Sequence, residues 1–182
     1  MNYIALLRGI NVGGNNKISM SELKEAFVEH GFTNVSTYIN SGNVLFSSGM
    51  ADEEMLKNQC EALIKSRFGQ DIAVAVISGA DLINAMDHAP EWWGKGNDKD
   101  MKHNAIFVIP PATAEELIQK VGIAPEYEKI DHFGRIIFWS APLKTFSRTR
   151  WSRIVGTPEY KSVTIRNANT ARKLAALACA DA

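Results

Sequence analysis

The chain has 182 residues, which is enough for one large domain or two small ones with a buried core. Its content of 46% hydrophobic and 22% charged residues is typical of a globular protein, so extensive disorder is excluded as a first interpretation. No apolar run approaches the roughly 20 residues of a membrane-spanning helix, and Met1–Arg8 lacks the basic segment and the apolar length of a signal peptide. We therefore expect a cytoplasmic protein with no membrane partner.

The charge is balanced in total but unevenly distributed along the chain. Residues 144–173 carry eight Lys and Arg side chains against one Glu, a net charge of +7, and residues 1–17 carry two basic side chains and no acid. A basic C-terminal third indicates an anionic partner. The alternative is that these cations pair with carboxylates from the acidic middle of the chain.

The first half of the chain predicts six elements in the order β-α-β-β-α-β. Apolar runs and alternation indicate the strands, a Ser-x-x-Glu capping pair begins the first helix, and Ser41-Gly42 is interpreted as a two-residue hairpin turn. The expected elements are a strand at Tyr3–Leu7, a helix from Ser19 to His30, strands at Val35–Ile39 and Val44–Phe46, a helix at Asp52–Phe68 and a strand at Ile72–Ile77.

The second half repeats this order at an offset of about 95–100 residues. The expected elements are a strand at Asn104–Ile109, a helix from Thr113, hairpin strands at Glu128–Asp131 and Arg135–Trp139, a helical stretch at Phe146–Val155, a strand at Val163–Arg166 and a closing helix at Asn167–Ala180. The pattern predicts an α+β fold of two tandem ferredoxin-like (βαββαβ) subdomains with antiparallel sheets and a C-terminal helix. The subdomains are expected at 1–78 and 104–182, with a connecting helix and a Trp-Trp loop at 79–103.

A Gly- and Asn-rich segment, Arg8–Lys17, joins the first strand to the first helix. Its glycines permit close backbone approach, its amides can point at an anion, and its two ends add positive charge. The segment nearly satisfies the phosphate-binding spacing GxxxxGK[ST], but Asn15 stands at the lysine position and no acid is present to hold Mg²⁺. The structural alternative is a plain connection whose Gly and Asn residues supply positive-φ turns.

Two further polar segments are candidates for a site. In Tyr38–Val44, the asparagines have a function only if their side chains face the Gly-rich segment, and otherwise they serve the hairpin. In Thr164–Thr170, an arginine precedes exposed amides at a helix N-terminus, which is a potential anion site, although capping of that helix by Asn and Thr is an equal explanation.

Aromatic residues lie beside basic ones in two places. The segment Ser147–Arg153 interleaves three arginines with Trp151, as a nucleic-acid contact surface does, and an amphipathic helix with a Trp anchor explains it equally well. The pair Trp92-Trp93 lies in a Pro- and Gly-flanked loop, where it either fills a groove between the subdomains or forms a stacking platform.

Metal and redox chemistry receive no support from the sequence. Cys60 lies at helical spacing among apolar residues, so it is interpreted as a buried residue, and a disulfide with Cys179 is not favoured. There is no CxxC or HxxxH, and the four histidines are scattered. We predict no metal site and no cofactor, and no acid–base or nucleophilic pattern is readable from spacing.

Four blocks together resemble one known family: Ala5–Gly14 (ALLRGINVGG), Lys17–Met20 (KISM), Tyr38–Val44 (YINSGNV) and Thr164–Thr170 (TIRNANT). The family is the uncharacterised bacterial one catalogued as domain of unknown function one-six-nine-seven. The resemblance covers essentially the whole chain and implies a duplicated ferredoxin-like arrangement. It transfers no activity.

The sequence leaves the function open and favours a binding protein for an anionic ligand, namely a nucleotide, a nucleic acid such as RNA, or a small phosphorylated molecule. The alternatives are an enzyme acting on a small anionic substrate in an inter-subdomain cleft, and a scaffold protein. Oligomeric state is not indicated. The expected ligand-binding residues are Arg8, Asn11, Gly13, Gly14, Lys17, Asn40, Asn43, Arg148, Arg166, Asn167 and Asn169.

Overall fold

The computed structural model describes residues 1–14, 16–94 and 99–180. The chain forms two compact units. The first unit is Met1–Ile83 with the C-terminal segment from Leu174, and the second unit is Asn84–Lys173. The finer subdomain boundaries expected at residues 78 and 104 stay a prediction. No helix within the described ranges is long and apolar enough to cross a membrane.

The first unit contains a four-stranded sheet in which every neighbouring pair is antiparallel, in the order β2-β3-β1-β4. This is the ferredoxin-like strand order that the βαββαβ pattern predicts. Its elements are β1 (Asn2–Leu7), α1 (Met20–Glu29), β2 (Thr33–Tyr38), β3 (Asn43–Ser47), α2 (Glu53–Phe68) and β4 (Val74–Ser78), and helix α3 (Gly79–Asp87) follows.

The helices of the first unit begin and end where the sequence chemistry requires. The Ser19 hydroxyl accepts a hydrogen bond from the backbone N–H of Glu22 at the start of α1. The Asp52 carboxylate accepts two backbone N–H groups at the start of α2, and Gly69 ends that helix in the left-handed conformation. Both helices pack their apolar faces on one side of the sheet, against alternate β1 residues such as Tyr3 and Leu7.

The second unit repeats the strand order as β6-β7-β5-β8, again with antiparallel pairs. Its elements are β5 (Met101–Val108), α4 (Ala114–Val121), β6 (Lys129–Phe133), β7 (Ile136–Pro142) and β8 (Val163–Asn167), and helix α5 (Ala168–Ala180) follows. The predicted capping box at Thr113 and Glu116 is confirmed, with both reciprocal hydrogen bonds present. The predicted α+β class with two ferredoxin-like antiparallel sheets and a C-terminal helix is therefore confirmed.

The helical stretch predicted over Phe146–Val155 is wrong as an α-helix. The chain instead forms three 3-10 turns, at Leu143–Arg148, Trp151–Gly156 and Pro158–Ser162. The break falls at Thr149, where the backbone is extended (φ −69°, ψ 153°) and the hydroxyl accepts the N–H of Ser152, a local side-chain bond that competes with a continuous helix. The second half therefore has three short turns where the first half has α2.

The predicted two-residue hairpin turn between β2 and β3 is also wrong. Tyr38 pairs with Asn43, so the loop contains the four residues 39–42. Ile39 adopts a left-handed backbone (φ 50°), which is unfavourable for a β-branched residue. The buried Asn43 side chain stabilises the loop by donating to the Tyr38 carbonyl at 2.9 Å and to the Ser41 hydroxyl at 3.0 Å.

Gly42 cannot be replaced in this loop without strain. Its backbone has φ 78°, and a Cβ atom at this position would lie 2.7 Å from Ile10 Cδ1 and 2.8 Å from Leu7 Cβ. Its carbonyl also accepts the N–H of Leu7 at 2.8 Å. The hairpin loop therefore packs directly on the end of β1.

We expect Gly42→Ala to lower the free energy of unfolding by at least about 2 kcal/mol, because the left-handed backbone and the overpacking both oppose a methyl group. Urea denaturation monitored by tryptophan fluorescence measures the change. Gly49→Ala is the matched control, since no atom lies within 4 Å of its Cβ position, and it should change stability by less than about 0.5 kcal/mol. Equal effects of the two substitutions would contradict the packing argument.

Cys60 should resist thiol reagents in the folded protein while Cys179 reacts, because Cys60 is buried and Cys179 is exposed. Burial, with a smaller contribution from Glu61, raises the pKa of the Cys60 thiol well above its usual range. Folding therefore favours the protonated thiol, and that stability is lost as the pH rises above the unfolded-state value of about 8.5. Labelling counts for the native and the denatured protein provide the first measurement. Cys60→Ala should lose less stability than the wild type at alkaline pH, and part of the loss should persist because burial also raises the pKa of Tyr3.

Candidate anion-binding site

The Gly-rich loop and the hairpin loop lie side by side in the first unit, and Asn11 holds them together. Its side-chain NH₂ donates to the carbonyls of Ile18 (3.0 Å) and Asn40 (2.9 Å), and its Oδ1 accepts the N–H of Ile18 (2.9 Å). Asn11 itself has a left-handed backbone, with φ 55°. These bonds explain Asn11 as the residue that fixes the shape of both loops.

An open depression of about 500 Å³ is formed by these loops and the start of α1. We call it the loop depression; its lining residues are Asn11, Gly14, Lys17, Ile18, Ser19, Met20 and Asn40. Four of the expected ligand-binding residues are thus brought together. Gly13 is exposed nearby in sequence, whereas Arg8 lines a different depression with Glu61 and Asp71. Asn15 lies outside the described residues.

The segment Thr164–Thr170 of the second unit, which we call the Arg-Asn corner, uses most of its polar side chains for hydrogen bonds within the fold. Arg166 is only 7% exposed and donates through Nη1 to the Thr164 hydroxyl and to the Ile165 carbonyl, each at 2.9 Å. Burial lowers the pKa of Arg166 to about 10, against a smaller opposite effect of Tyr160. The Asn167 side chain accepts the N–H of Thr170 at 2.8 Å, which caps α5.

The other two expected ligand-binding residues of the second unit are exposed, in contrast to Arg166. Asn169 is exposed on the first turn of α5, and Arg148 is exposed at the end of the first 3-10 turn. Arg148 contributes to a second depression, which the sequence did not reveal as a whole.

This second depression, the basic depression, has a volume of about 550 Å³ and lies in the second unit between the end of α4 and the 3-10 turns. Four of its lining side chains are cationic and one is acidic. The lining residues are Lys120, Val121, Ala124, Arg148, Thr149, Arg150, Arg153, Ile154, Thr157 and Glu159. Such a volume is within the range of small-molecule sites, about 300–1,000 Å³.

The buried carboxylate of Glu128 joins the two walls of the basic depression. Its Oε1 accepts the backbone N–H groups of Ala124 (2.9 Å) and Arg150 (3.0 Å), and its Oε2 accepts that of Trp151 (3.4 Å). Ala124 follows α4, whereas Arg150 and Trp151 belong to the turns. One acceptor group therefore fixes the backbone on both sides of the site.

The arginines around the basic depression are held in place by neutral groups. Arg153 donates through Nε and Nη2 to the Ser147 carbonyl, and the Arg148 guanidinium lies 5.6 Å from the centroid of the Tyr127 ring. Gly122 has φ 73°, and a Cβ there would lie 3.3 Å from Arg150 Cδ, so the glycine leaves room for that side chain. Among the described residues, no carboxylate lies within 4 Å of the four lining cations.

The tryptophans proposed as stacking groups are part of the core. Trp151 is fully buried and donates its indole N–H to the Gly122 carbonyl at 3.1 Å. Trp93 is fully buried as well, donates to the Asn104 carbonyl at 2.8 Å and has the Arg172 guanidinium 5.1 Å from its ring centroid. Trp92 is half-buried, and residues 95–98 of its loop lie outside the described residues.

The described part of the chain contains few arrangements of side chains that are typical of catalysis. No cluster of three or more His, Cys, Asp or Glu side chains there has a metal-binding arrangement. His103 Nδ1 and Ser140 Oγ lie 2.6 Å apart across strands β5 and β7. Ser140 is only 1% exposed and His103 is half-buried, and neither residue lines any of the depressions described here.

Three residues of the basic depression and its support were missed at the sequence level: Lys120, Glu128 and Glu159. Lys120 occupies the last turn of an ordinary amphipathic helix, and Glu128 is the first residue of the strand predicted at Glu128–Asp131, where it has no special signal. The unbalanced charge of residues 144–173 was the one available signal. It indicated that this segment contacts an anion, but not which residues of the rest of the chain line the same depression.

The fold and these sites define an α+β protein with two four-stranded ferredoxin-like sheets and a C-terminal helix. The family model described as Protein of unknown function (DUF1697) matches residues 1–138. The chain therefore belongs to this family, and the resemblance inferred from the sequence is confirmed. No curated protein matches the sequence.

The chain was also compared with solved structures by fold. The chain is similar to the conserved bacterial protein SP0830 from Streptococcus pneumoniae, with 28% sequence identity, a TM-score of 0.83 and coverage of 97% of this chain and 98% of that chain. The first two RRM domains of yeast poly(U) binding protein (Pub1) match with 11% identity, a TM-score of 0.26 and coverage of 92% and 99%. The second score is too low to support any inference about fold or ligand.

We expect Glu128→Ala to destabilise the protein by roughly 3 kcal/mol, because three backbone N–H groups lose their acceptor. Chemical denaturation measures the loss. Glu126→Ala is the control, since Glu126 is exposed and should change stability by less than about 0.5 kcal/mol. A Glu128→Ala variant as stable as the control would show that Glu128 does not join the two walls.

Proposed function

We propose that the protein binds a small anionic ligand that carries at least one phosphate group, and that the basic depression is its site. One observation carries the proposal: Lys120, Arg148, Arg150 and Arg153 line one depression, and no carboxylate of the described chain lies within 4 Å of these cations. Glu159 is the one acidic side chain of the lining, so the depression keeps an excess of positive charge. A bound phosphate would balance part of that excess.

The arrangement suits phosphate in geometry as well as in charge. Guanidinium groups present several N–H donors in a planar fork, which matches the oxygens of a phosphate group. Arg153 and Arg148 contact the Ser147 carbonyl and the Tyr127 ring, and these contacts restrict their side chains, so less side-chain entropy is lost when a ligand binds.

The loop depression is the weaker candidate, although it contains four of the residues expected from the sequence. Lys17 is the one cationic side chain among its lining residues, and the Asn11 amide is occupied by bonds to the backbone. Its shape is explained by the connection between β1 and α1. We therefore assign the anionic ligand to the second unit.

A small molecule fits the basic depression better than an extended nucleic acid. Proteins that bind single strands combine cations with exposed aromatic rings on which bases stack. Trp151, the aromatic residue of the basic stretch, is fully buried, and no described residue lining the depression is aromatic. RNA remains the alternative ligand for the experiments below. A cytoplasmic location forms part of the proposal, because phosphorylated metabolites are concentrated there.

We expect Arg148→Ala and Arg150→Ala each to weaken binding of inorganic pyrophosphate roughly tenfold, since each removes a charge-assisted hydrogen-bond donor. Isothermal titration at low ionic strength provides the dissociation constants. Thermal denaturation of each variant establishes that it remains folded under the assay conditions.

Lys144→Ala is the charge-matched control for these two variants. Lys144 is an exposed cation of the basic segment 144–173, but it does not line the depression. Its removal should weaken pyrophosphate binding less than about twofold, because solvent screens its charge. Equal losses in all three variants, or no saturable binding by the wild type, would refute a specific site.

A further inference from the structure

The basic depression contains one acidic side chain, Glu159, and its position is informative about the ligand. Glu159 lies on the third 3-10 turn and is half-buried. It lines the same depression as four cations, yet its carboxylate forms no ion pair within 4 Å with any described residue. A carboxylate so placed repels a bare phosphate, and it remains available to a ligand.

The hydroxyl hydrogens of the two lining threonines are donated to backbone carbonyls, and as neutral oxygens these hydroxyls are weaker acceptors than a carboxylate. The Thr149 hydroxyl donates to the Phe146 carbonyl at 2.7 Å and accepts the N–H of Ser152 at 3.2 Å. The Thr157 hydroxyl donates to the Ile154 carbonyl at 2.8 Å. A ligand hydroxyl that enters the depression therefore finds in Glu159 the strong acceptor, because an ionised carboxylate accepts hydrogen bonds and donates none.

We infer that the basic depression selects a phosphorylated compound that also carries hydroxyl groups, and that Glu159 is the residue that makes this selection. This inference rests on the proposed function. The cations bind the phosphate, and the Glu159 carboxylate accepts a hydrogen bond from a hydroxyl of the same molecule. A phosphorylated sugar and the ribose phosphate of a nucleotide share this chemistry.

Selectivity arises from opposite effects of one carboxylate on two kinds of ligand. Inorganic phosphate is attracted by the cations but repelled by Glu159. A hydroxylated phosphate is attracted by the same cations and also donates a hydrogen bond to the carboxylate, which offsets the repulsion. Discrimination of this kind depends on the difference between two affinities and cannot be seen from either affinity alone.

The test compares ribose 5-phosphate with inorganic phosphate on the wild type and on Glu159→Gln, a substitution that keeps the shape and removes the charge. We expect the wild type to bind ribose 5-phosphate about fivefold or more tightly than inorganic phosphate. In Glu159→Gln, inorganic phosphate should bind more tightly and ribose 5-phosphate less tightly, so that the ratio falls to about two or less. Isothermal titration at constant ionic strength measures all four constants.

Glu126→Gln is the control for total charge, since Glu126 is exposed and does not line the depression. It should leave the ratio of the two affinities unchanged. A Glu159→Gln variant that binds both compounds more tightly by the same factor would overturn the inference, because the carboxylate would then act only by repulsion. Absence of any phosphate binding by the wild type would instead refute the proposed function itself.

Two further ligands distinguish the sources of the ribose phosphate group. If the ligand is a nucleotide, the preference for ADP over pyrophosphate should also depend on Glu159. If the ligand is a phosphorylated sugar, only the preference for ribose 5-phosphate over inorganic phosphate should depend on Glu159. An oligouridylate of about 12 nucleotides tests the macromolecule. Tighter binding of the oligonucleotide than of every small compound, unchanged in Glu159→Gln, would overturn the inference in favour of RNA.

Discussion

In the second unit, the connection from β7 to β8 consists of three 3-10 turns, and the first backbone N–H groups of the second turn have no acceptor within that turn. The Glu128 carboxylate accepts two of these groups, at Arg150 and Trp151, and a third at Ala124 on the opposite wall. Burial makes an unmade hydrogen bond costly, so this one side chain constrains where the turns can lie. The lining of the basic depression depends on that constraint.

The two units share a strand order but differ in the segment that connects the third strand of each sheet to the fourth. In the first unit, α2 joins β3 to β4 and is capped by Asp52 and ended by Gly69. In the second unit, the break at Thr149 separates Arg148 from Arg150. An uninterrupted α-helix would place these two side chains about 200° apart, on opposite faces. The 3-10 turns allow both arginines to line one depression, so the loss of the helix and the presence of the site have one cause.

The sequence predicted the fold because its signals are local. Apolar runs identify β1 and β5, and the caps at Ser19, Asp52 and Thr113 locate helix starts through bonds within four residues. The helical stretch predicted over 146–155 forms 3-10 turns interrupted at Thr149, because the amphipathic pattern does not report the side-chain hydrogen bonds that compete with a continuous α-helix there. The hairpin loop was predicted too short because the Asn43 side chain, and not a standard two-residue turn, sets its length.

The candidate site was harder to predict than the fold because its parts are distant in the chain. Arg148 was expected to bind a ligand, but nothing in the sequence brings Lys120 to it or marks Glu159 as a member of the same lining. Conversely, Arg166 looked exposed beside a helix start and is buried among backbone and hydroxyl oxygens. Charge patterns identify which side chains are available in a segment, whereas long-range packing decides which of them reach solvent.

The division of the chain into units has a consequence for its synthesis. Residues from Leu174 onward belong to the first unit, although they are made after every residue of the second unit, Asn84–Lys173. The second unit is continuous in sequence, whereas the first unit includes a segment that is made after the second unit. The first unit therefore cannot bury the surface that this segment covers until the second unit has been synthesised.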